Sequence, residues 1–318
     1  MKITEHIENS KGKTKFTFEI LPPLKGQNIK SVFDSIDPLM EFNPPFIDVT
    51  YHREEFIFKE HSNGLLEKKI VKKRPGTVGI CAAIQNKYKV DAVPHILCGG
   101  FTKEETENLL IDLDFLEINN VVSLRVDAVK SQNYFKPTEG GHSYANELVE
   151  QIKNLNNGIY LDEEMKDSNS TNFCVGVAGY PEKHMEAPSL ESDIHFLKKK
   201  IKAGAEYIIT QMFFDNSKFF EFEKKCREAG IQAPIIPGLK PISTKKQLNL
   251  LPHRFHVDLP EELIKQVIKC NSNDEIKQVG IEWCIEQSKE LMKFNVPFLH
   301  YYSMGKSENI IKIAEAVF

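Results

Sequence analysis

Eight short runs of β-branched and aromatic residues recur along the chain: Lys15–Ile20, Phe46–Tyr51, Asp91–Cys98, Val121–Val126, Phe173–Ala178, Tyr207–Phe213, Pro234–Gly238 and Pro297–Tyr302. Most are too apolar to alternate between a wet and a dry face, which is the pattern of parallel strands buried on both sides. The stretches between them carry helical spacing. Ile29, Val32, Phe33, Ile36 and Leu39 fall on one face, and Ile194, Leu197 and Ile201 lead to Gly204. Phe219, Phe222 and Cys226 lead in the same way to Gly230. Both glycines suit a helix C-terminus, where a left-handed residue ends the last turn. Thr102-x-x-Glu105 reads as a capping box ahead of Leu109, Leu110 and Leu113.

Strand and helix alternating in this order predict an α/β fold of one domain over residues 1–318, a (β/α)8 or TIM barrel. A doubly wound sheet is the competing architecture, but it normally opens on a glycine-rich turn that is missing here. One stretch breaks the rhythm. Residues 130–141 and 156–172 read as loops around a helix near Ser143–Leu155, the second a flexible, polar excursion.

Composition narrows the function classes. With 41% hydrophobic and 27% charged residues the chain can fill a core, which excludes a disordered or fibrous protein. A formal charge of −4 argues against a nucleic-acid partner. The lysine runs at 68–73, 198–202 and 224–225 alternate with apolar residues and read as outer faces of helices. No apolar stretch approaches the ~18 residues of a membrane span. Residues 1–15 are charged throughout and lack a signal-peptide core, so a cytoplasmic protein with reduced cysteines is expected.

In a barrel, chemistry gathers at the C-terminal ends of the strands. Those ends carry Glu19, then Thr50 to Arg53, His95, Arg125 with Asp127, Tyr180 to His184, Thr210 with Gln211, and His300 to Tyr302. Glu19 lies between apolar neighbours, so it is either salt-bridged for structure or tuned as an acid. His95 reads as a core histidine or a ligand contact. Gln211 interrupts an apolar strand, and a buried amide needs up to four partners, so it points to a ligand. No phosphate-binding glycine loop, nucleophile motif or strand-end lysine suited to a Schiff base stands out. His253-x-x-His256 lacks the further ligands of a zinc site, and no metal is expected. An acid on a barrel rim without nucleophile or metal points to a borrowed cofactor.

The motifs Phe18-Glu19-Ile20-Leu21-Pro22-Pro23, Asp48-Val49-Thr50-Tyr51, Pro94-His95 and Leu124-Arg125-x-Asp127 occur in one order. Gly179-Tyr180-Pro181-Glu182-x-His184-x-Glu186-Ala187, Ile209-Thr210-Gln211-x-Phe213-Phe214, Ile236-Pro237-Gly238-x-x-Pro241-Ile242 and His300-x-Tyr302 follow. Together they resemble the methylenetetrahydrofolate reductases in their short bacterial form, over roughly residues 15 to 315. The resemblance implies an FAD-containing barrel that reduces 5,10-methylenetetrahydrofolate to 5-methyltetrahydrofolate, with hydride passing from NADH or NADPH through flavin N5. It implies a homo-oligomer, dimer or tetramer.

By the same resemblance Glu19 is the general acid toward N10 of the folate, its apolar neighbours favouring the protonated form. Asp127 matches the carboxylate near the flavin pyrimidine and the pterin. Tyr51, His95, Arg125, Asp127, Tyr144, Ala145, Tyr180, His184, Ala187, Asp193, Lys199 and Lys200 match cofactor-binding positions, the two lysines toward the pyrophosphate. Thr50, Gln211, Gln247, Tyr302 and Lys306 match substrate-facing positions. Three residues depart from the family pattern. Val126 replaces the usual glycine between Arg125 and Asp127, where a side chain would crowd a closely approaching flavin. Lys306 replaces a common arginine, and Arg53 stands where a small residue is usual. A crowded flavin pocket would leave the alternative of a silent folate-binding or assembly relative.

Overall fold

Strand β1 (Lys15–Ile20) divides its side chains between two cores. Phe16, Phe18 and Ile20 pack with helix residues such as Val32, Ile36 and Ile310, while Thr17 and Glu19 point the other way. Repeated around the molecule, that division closes a parallel barrel. The computed structural model describes residues 1–126, 134–165, 167–305 and 307–318, with the backbone alone for Glu55 and Phe56.

The remaining strands are β2 (Phe46–Val49), β3 (Glu55–Glu60), β4 (Leu66–Val71), β5 (Asp91–Leu97), β6 (Asn120–Leu124) and β7 (Cys174–Gly179). They are followed by β8 (Tyr207–Thr210), β9 (Ile235–Ile236), β10 (Gly238–Leu239) and β11 (Phe298–Tyr302). The order β10-β11-β1-β2-β5-β6-β7-β8-β9 runs parallel throughout. β9 and β10 are one barrel strand interrupted at Pro237, whose ring removes an N–H. Its carbonyl still accepts from the His300 amide at 3.1 Å, so β8 is joined to β11 and the barrel closes. All eight expected strands are present, and the doubly wound alternative is excluded.

The helices are α1 (Ile3–Asn9), α2 (Ile29–Ile36), α3 (Thr77–Tyr88), α4 (Lys103–Phe115), α5 (Ala145–Asn156) and α6 (Leu190–Lys202). After them come α7 (Asn216–Glu228), α8 (Gln247–Phe255), α9 (Glu261–Lys269), α10 (Asn273–Lys293) and α11 (Glu308–Val317). The capping box before α4 is formed: the Thr102 hydroxyl accepts from the Glu105 amide at 3.1 Å, and Glu105 accepts from the Thr102 amide at 2.8 Å. Gly204 and Gly230 follow α6 and α7 at φ +115° and +81°, as the stop signals require. Helix α1, invisible to the pattern analysis, plugs the N-terminal mouth. Ile3 is fully buried there with Phe46, Val93, Val122 and Ile236, and its amide donates to Asn120 Oδ1 at 2.9 Å.

The lysine run at 68–73 is not a helix face. Leu66–Val71 is the second strand of an antiparallel hairpin with β3, inserted after β2. Lys68 and Lys69 stand opposite Phe58 and Ile57, on strands exposed on both sides. A mixed run of six residues fits a period of 2 as well as one of 3.6, so spacing alone misassigns it. The runs at 198–202 and 224–225 do lie on α6 and α7. After α5 the chain folds back: Tyr160 donates to the Asn169 carbonyl at 3.0 Å, and the Leu161 amide donates to Glu107 at 2.8 Å.

Candidate active site

The inward side of β1 carries Glu19 to the C-terminal mouth. In register, Glu19 pairs with Asp48 on β2 and with Tyr302 on β11. Facing partners in a parallel pair project to the same side of a sheet. The result is a row of polar groups across three neighbouring strands. Thr50, just past β2, donates to Glu19 Oε1 at 2.5 Å. From β5, His95 Nε2 stands 3.5 Å from Glu19 Oε2 and 3.5 Å from Asp48 Oδ2. His95 is thus neither an idle core histidine nor alone.

The charge balance of this group follows from burial. Burial works against a charged His95, but Glu19 and Asp48 outweigh it and raise its pKa. Burial raises the pKa of Asp48, with His95 acting against the shift. Deeper still, His300 Nδ1 lies 3.0 Å from the Thr17 hydroxyl. Burial pushes His300 down to about 4, so it is neutral at physiological pH. Asp48 Oδ1 and His300 Nε2 are buried and have no hydrogen-bond partner among the described residues.

Across the mouth, Tyr302 donates to the Thr210 carbonyl at 2.6 Å. It reaches there over Gly238, where an added Cβ would stand 2.3 Å from the Thr210 oxygen and 2.6 Å from the Tyr302 ring. Gly238 is therefore required for the tyrosine to cross. Gln211 and Tyr180 border a small cleft with His184, Met185, Arg254, Phe255 and His256. Gln211 uses its amide oxygen on the Met212 N–H at 2.9 Å.

A second group lies on the β6–β7 flank. Arg125 pairs with Glu186 and lies 5.8 Å from the centre of the Tyr144 ring. Burial works to raise the Glu186 pKa, but the Arg125 hydrogen bond outweighs it and the net shift is downward. The Ala145 carbonyl accepts from Ser123 at 3.2 Å at the start of α5. Tyr180 and His184 meet edge to face at 4.8 Å. The His184 amide donates to Asp193 at 2.9 Å, and Lys183 donates to the Ala187 carbonyl at 2.9 Å. Burial raises Asp193. Lys200 donates to the Ala178 carbonyl at 3.0 Å, and burial lowers its pKa, with Asp193 opposing and Arg125 adding to the shift. Lys199 diverges from it and lies exposed, 5.0 Å from the Phe196 ring.

Other expected residues stand apart. Tyr51 accepts from Lys72 at 3.0 Å and packs on Phe101 at 5.2 Å. Gln247 uses its amide oxygen on the Ser243 and Thr244 amides at 2.6 and 3.0 Å, which caps α8. Asp127 and Lys306 lie outside the described residues. Val126 is a β-branched residue at φ +69°, in the left-handed region where glycine is at ease. Sequence reasoning placed His300 on the rim without giving it a role, and gave none to Asp48 or Lys240. Asp48 sends the same signal as Glu19, a carboxylate in an apolar strand. Lys240 directly follows β10 and is half-buried, a strand-end lysine that the sequence pattern did not single out.

Residues 2–317 match the family model of methylenetetrahydrofolate reductase. Methylenetetrahydrofolate reductase (NADH) 1 of Arabidopsis thaliana is 30% identical over 98% of this chain and 50% of its own length. The 5,10-methylenetetrahydrofolate reductase of Escherichia coli (strain K12) is 28% identical over 96% of this chain and 91% of its own length. The chain thus spans about half the length of the plant relatives it matches and nearly all of the bacterial one. Among solved structures, a Clostridium thermocellum protein described as binding two copies of 5-methyl-5,6,7,8-tetrahydrofolic acid superposes with a TM-score of 0.57. At 14% identity over 99% of this chain and 98% of that one, it supports the barrel fold.

Proposed function

Because the chain belongs to the methylenetetrahydrofolate reductase family, we propose that it reduces 5,10-methylenetetrahydrofolate to 5-methyltetrahydrofolate with electrons from NADH or NADPH. The observation that carries this reading is the Glu19 carboxyl on the inward rim, held by Thr50 at 2.5 Å and flanked by His95 at 3.5 Å. A carboxyl held in one orientation beside a base is equipped to give a proton to an amine and recover it. In this role Glu19 protonates N10 as the five-membered ring of the folate opens. Gln211, Tyr302 and Thr50 border the space in which the substrate rings would lie, and Gln247 and Lys306 complete the substrate positions.

The residues of the β6–β7 flank suit FAD. Burial depresses the Lys200 pKa, Asp193 opposes the shift, and the Arg125 charge adds to it. A pyrophosphate beside them would favour the charged lysine. Lys199, directed away toward Phe196, would have to turn to assist, and Asp193 suits ribose hydroxyls. Tyr51, His95, Tyr144, Tyr180 and His184 offer aromatic faces and polar edges, with Ala145 and Ala187 leaving room for the backbone. The chemistry such a group supplies is two-electron storage between nicotinamide and folate. Asp127 matches the carboxylate that would disfavour an anionic reduced ring.

One observation favours the alternative of a silent folate-binding relative: Val126 at φ +69°, on the strand end that leads into the flavin positions. The visible spectrum of freshly purified protein separates the two. A flavin spectrum that bleaches anaerobically with NADH and returns with methylenetetrahydrofolate supports the reductase. A colourless protein that cannot be reconstituted with FAD supports the alternative.

A further inference from the structure

Lys240 occupies one of the two open positions in Ile236-Pro237-Gly238-x-x-Pro241-Ile242, and the structure gives it a setting that a spacer would not need. β10 pairs Gly238 with His300 and Leu239 with Tyr301. Continued by one residue, that register sets Lys240 beside Tyr302, itself the partner of Glu19. The alternation agrees: Leu239 packs outward in the helix-side core, and Gly238 faces the Tyr302 ring inside the mouth. Lys240 therefore belongs to the same inward row as Glu19 and Tyr302. Its ammonium has no hydrogen-bond or ion-pair partner among the described residues. Burial pushes it down to about 8, with the Glu19 charge as the nearest opposing influence and Cys284 of α10 a lesser one.

A half-buried ammonium, partly desolvated and with no protein acceptor among the described residues, keeps its donors open to an acceptor that enters the mouth. Within the barrel mouth, the species that arrives is the substrate. We propose that Lys240 is a substrate-contacting residue, whose ammonium donates to a carbonyl or ring-nitrogen acceptor of the folate beside the atom that Glu19 protonates. The inference rests on the folate reading above and adds to it a residue that no family motif specifies.

The pH dependence isolates this residue. The ionisable groups facing Lys240 are Glu19 from β1, Tyr302 from β11 and Cys284 from α10. Burial raises the Tyr302 hydroxyl well above its ordinary value and the Cys284 thiol to about 12. Both stay neutral where Lys240 titrates. The test is calorimetric titration of the flavin-loaded protein with 5-methyltetrahydrofolate from pH 6 to 9, in wild type, Lys240→Met and Lys240→Arg. The expected result is wild-type affinity that falls above about pH 8, and a Met variant about tenfold weaker at pH 7 with no such fall, as loss of one charge-assisted bond requires. Lys240→Arg, whose charge does not titrate, is expected to bind without the fall. Thermal melting checks folding; removal of a buried charge should not lower the midpoint. Met-variant binding equal to wild type, or a retained fall near pH 8, overturns the inference alone. Wild-type protein that binds no folate at any pH overturns the functional reading as well.

Discussion

The Thr50 hydroxyl sits 2.5 Å from Glu19 Oε1 although the two are 31 positions apart, because β1 and β2 pair Glu19 with Asp48 and bring the next turn of chain over the carboxyl. The same hydroxyl lies 3.1 Å from the Ile20 carbonyl, so the side chain ties the two strand ends together. Thr50→Val keeps the shape and removes the donor. Folate reduction should fall about tenfold, the worth of one hydrogen bond to a charged group, and stability by about 1 kcal/mol. Thr50→Ser should restore most of both. Stopped-flow reoxidation by methylenetetrahydrofolate measures the first effect and urea unfolding the second. A Val variant as fast as wild type would mean that the contact does not orient the acid.

Much of this arrangement was legible in the residue pattern, and what was not has identifiable physical causes. Eight apolar runs became the barrel strands because burial on both faces leaves few other solutions. Glu19 stood out because a carboxylate in such a run is expensive. Asp48 carried the same signal, yet its contact with His95 depends on strand register, which no local pattern encodes. The hairpin at β3 and β4 was misread because six alternating residues satisfy two periods equally. Lys240 was invisible as a site residue because its meaning comes from Tyr302 and Glu19, on strands distant in sequence.

Val126 offers a test of backbone strain. A β-branched residue at φ +69° costs about 1–2 kcal/mol relative to an ordinary conformation. Glycine removes that strain, while its looser unfolded chain costs about 0.5–1 kcal/mol. The side chain also packs against the helix-side core, so alanine loses contact and keeps most of the strain. Val126→Gly should therefore be at least as stable as Val126→Ala, the reverse of the usual order, and should retain FAD as well as wild type. Denaturant unfolding and flavin-release titrations decide it. A clear loss of FAD in the glycine variant would show that the valine packs productively against the cofactor.

Glu182 makes a pH prediction with a definite sign. One oxygen accepts from the Asp258 amide at 2.7 Å, and the other is buried with no partner among the described residues. Burial raises this carboxyl from 4.5 to about 7. The folded state thus holds the proton more tightly than the unfolded chain. The stability from this group is complete below about pH 4.5 and is lost as pH rises through about 7. Glu182→Gln removes that dependence. The variant should be more stable than wild type at pH 8 by about 2 kcal/mol, with a flatter profile between pH 5 and 7. Parallel profiles of unfolding free energy against pH would sink the prediction.

Glu19→Gln tests the acid itself. The amide is nearly the same size, and its oxygen can still accept from Thr50, so the fold and the flavin positions should survive. On the proposed mechanism, reduction by NADH should also survive, because that half-reaction would ask no proton of this residue. Folate reduction should fall by about a hundredfold or more, the range of a lost general acid. A second readout comes from His95, whose pKa is raised by Glu19 and Asp48 against the effect of burial. Without the Glu19 charge the imidazole should lose its proton at lower pH, visible in its NMR titration. If the imidazole responds and folate turnover stays at the wild-type rate, the carboxylate is a charge partner and not the proton donor. The proton would then belong to another group, and His95, 3.5 Å from the carboxyl, is the nearest described base able to carry it.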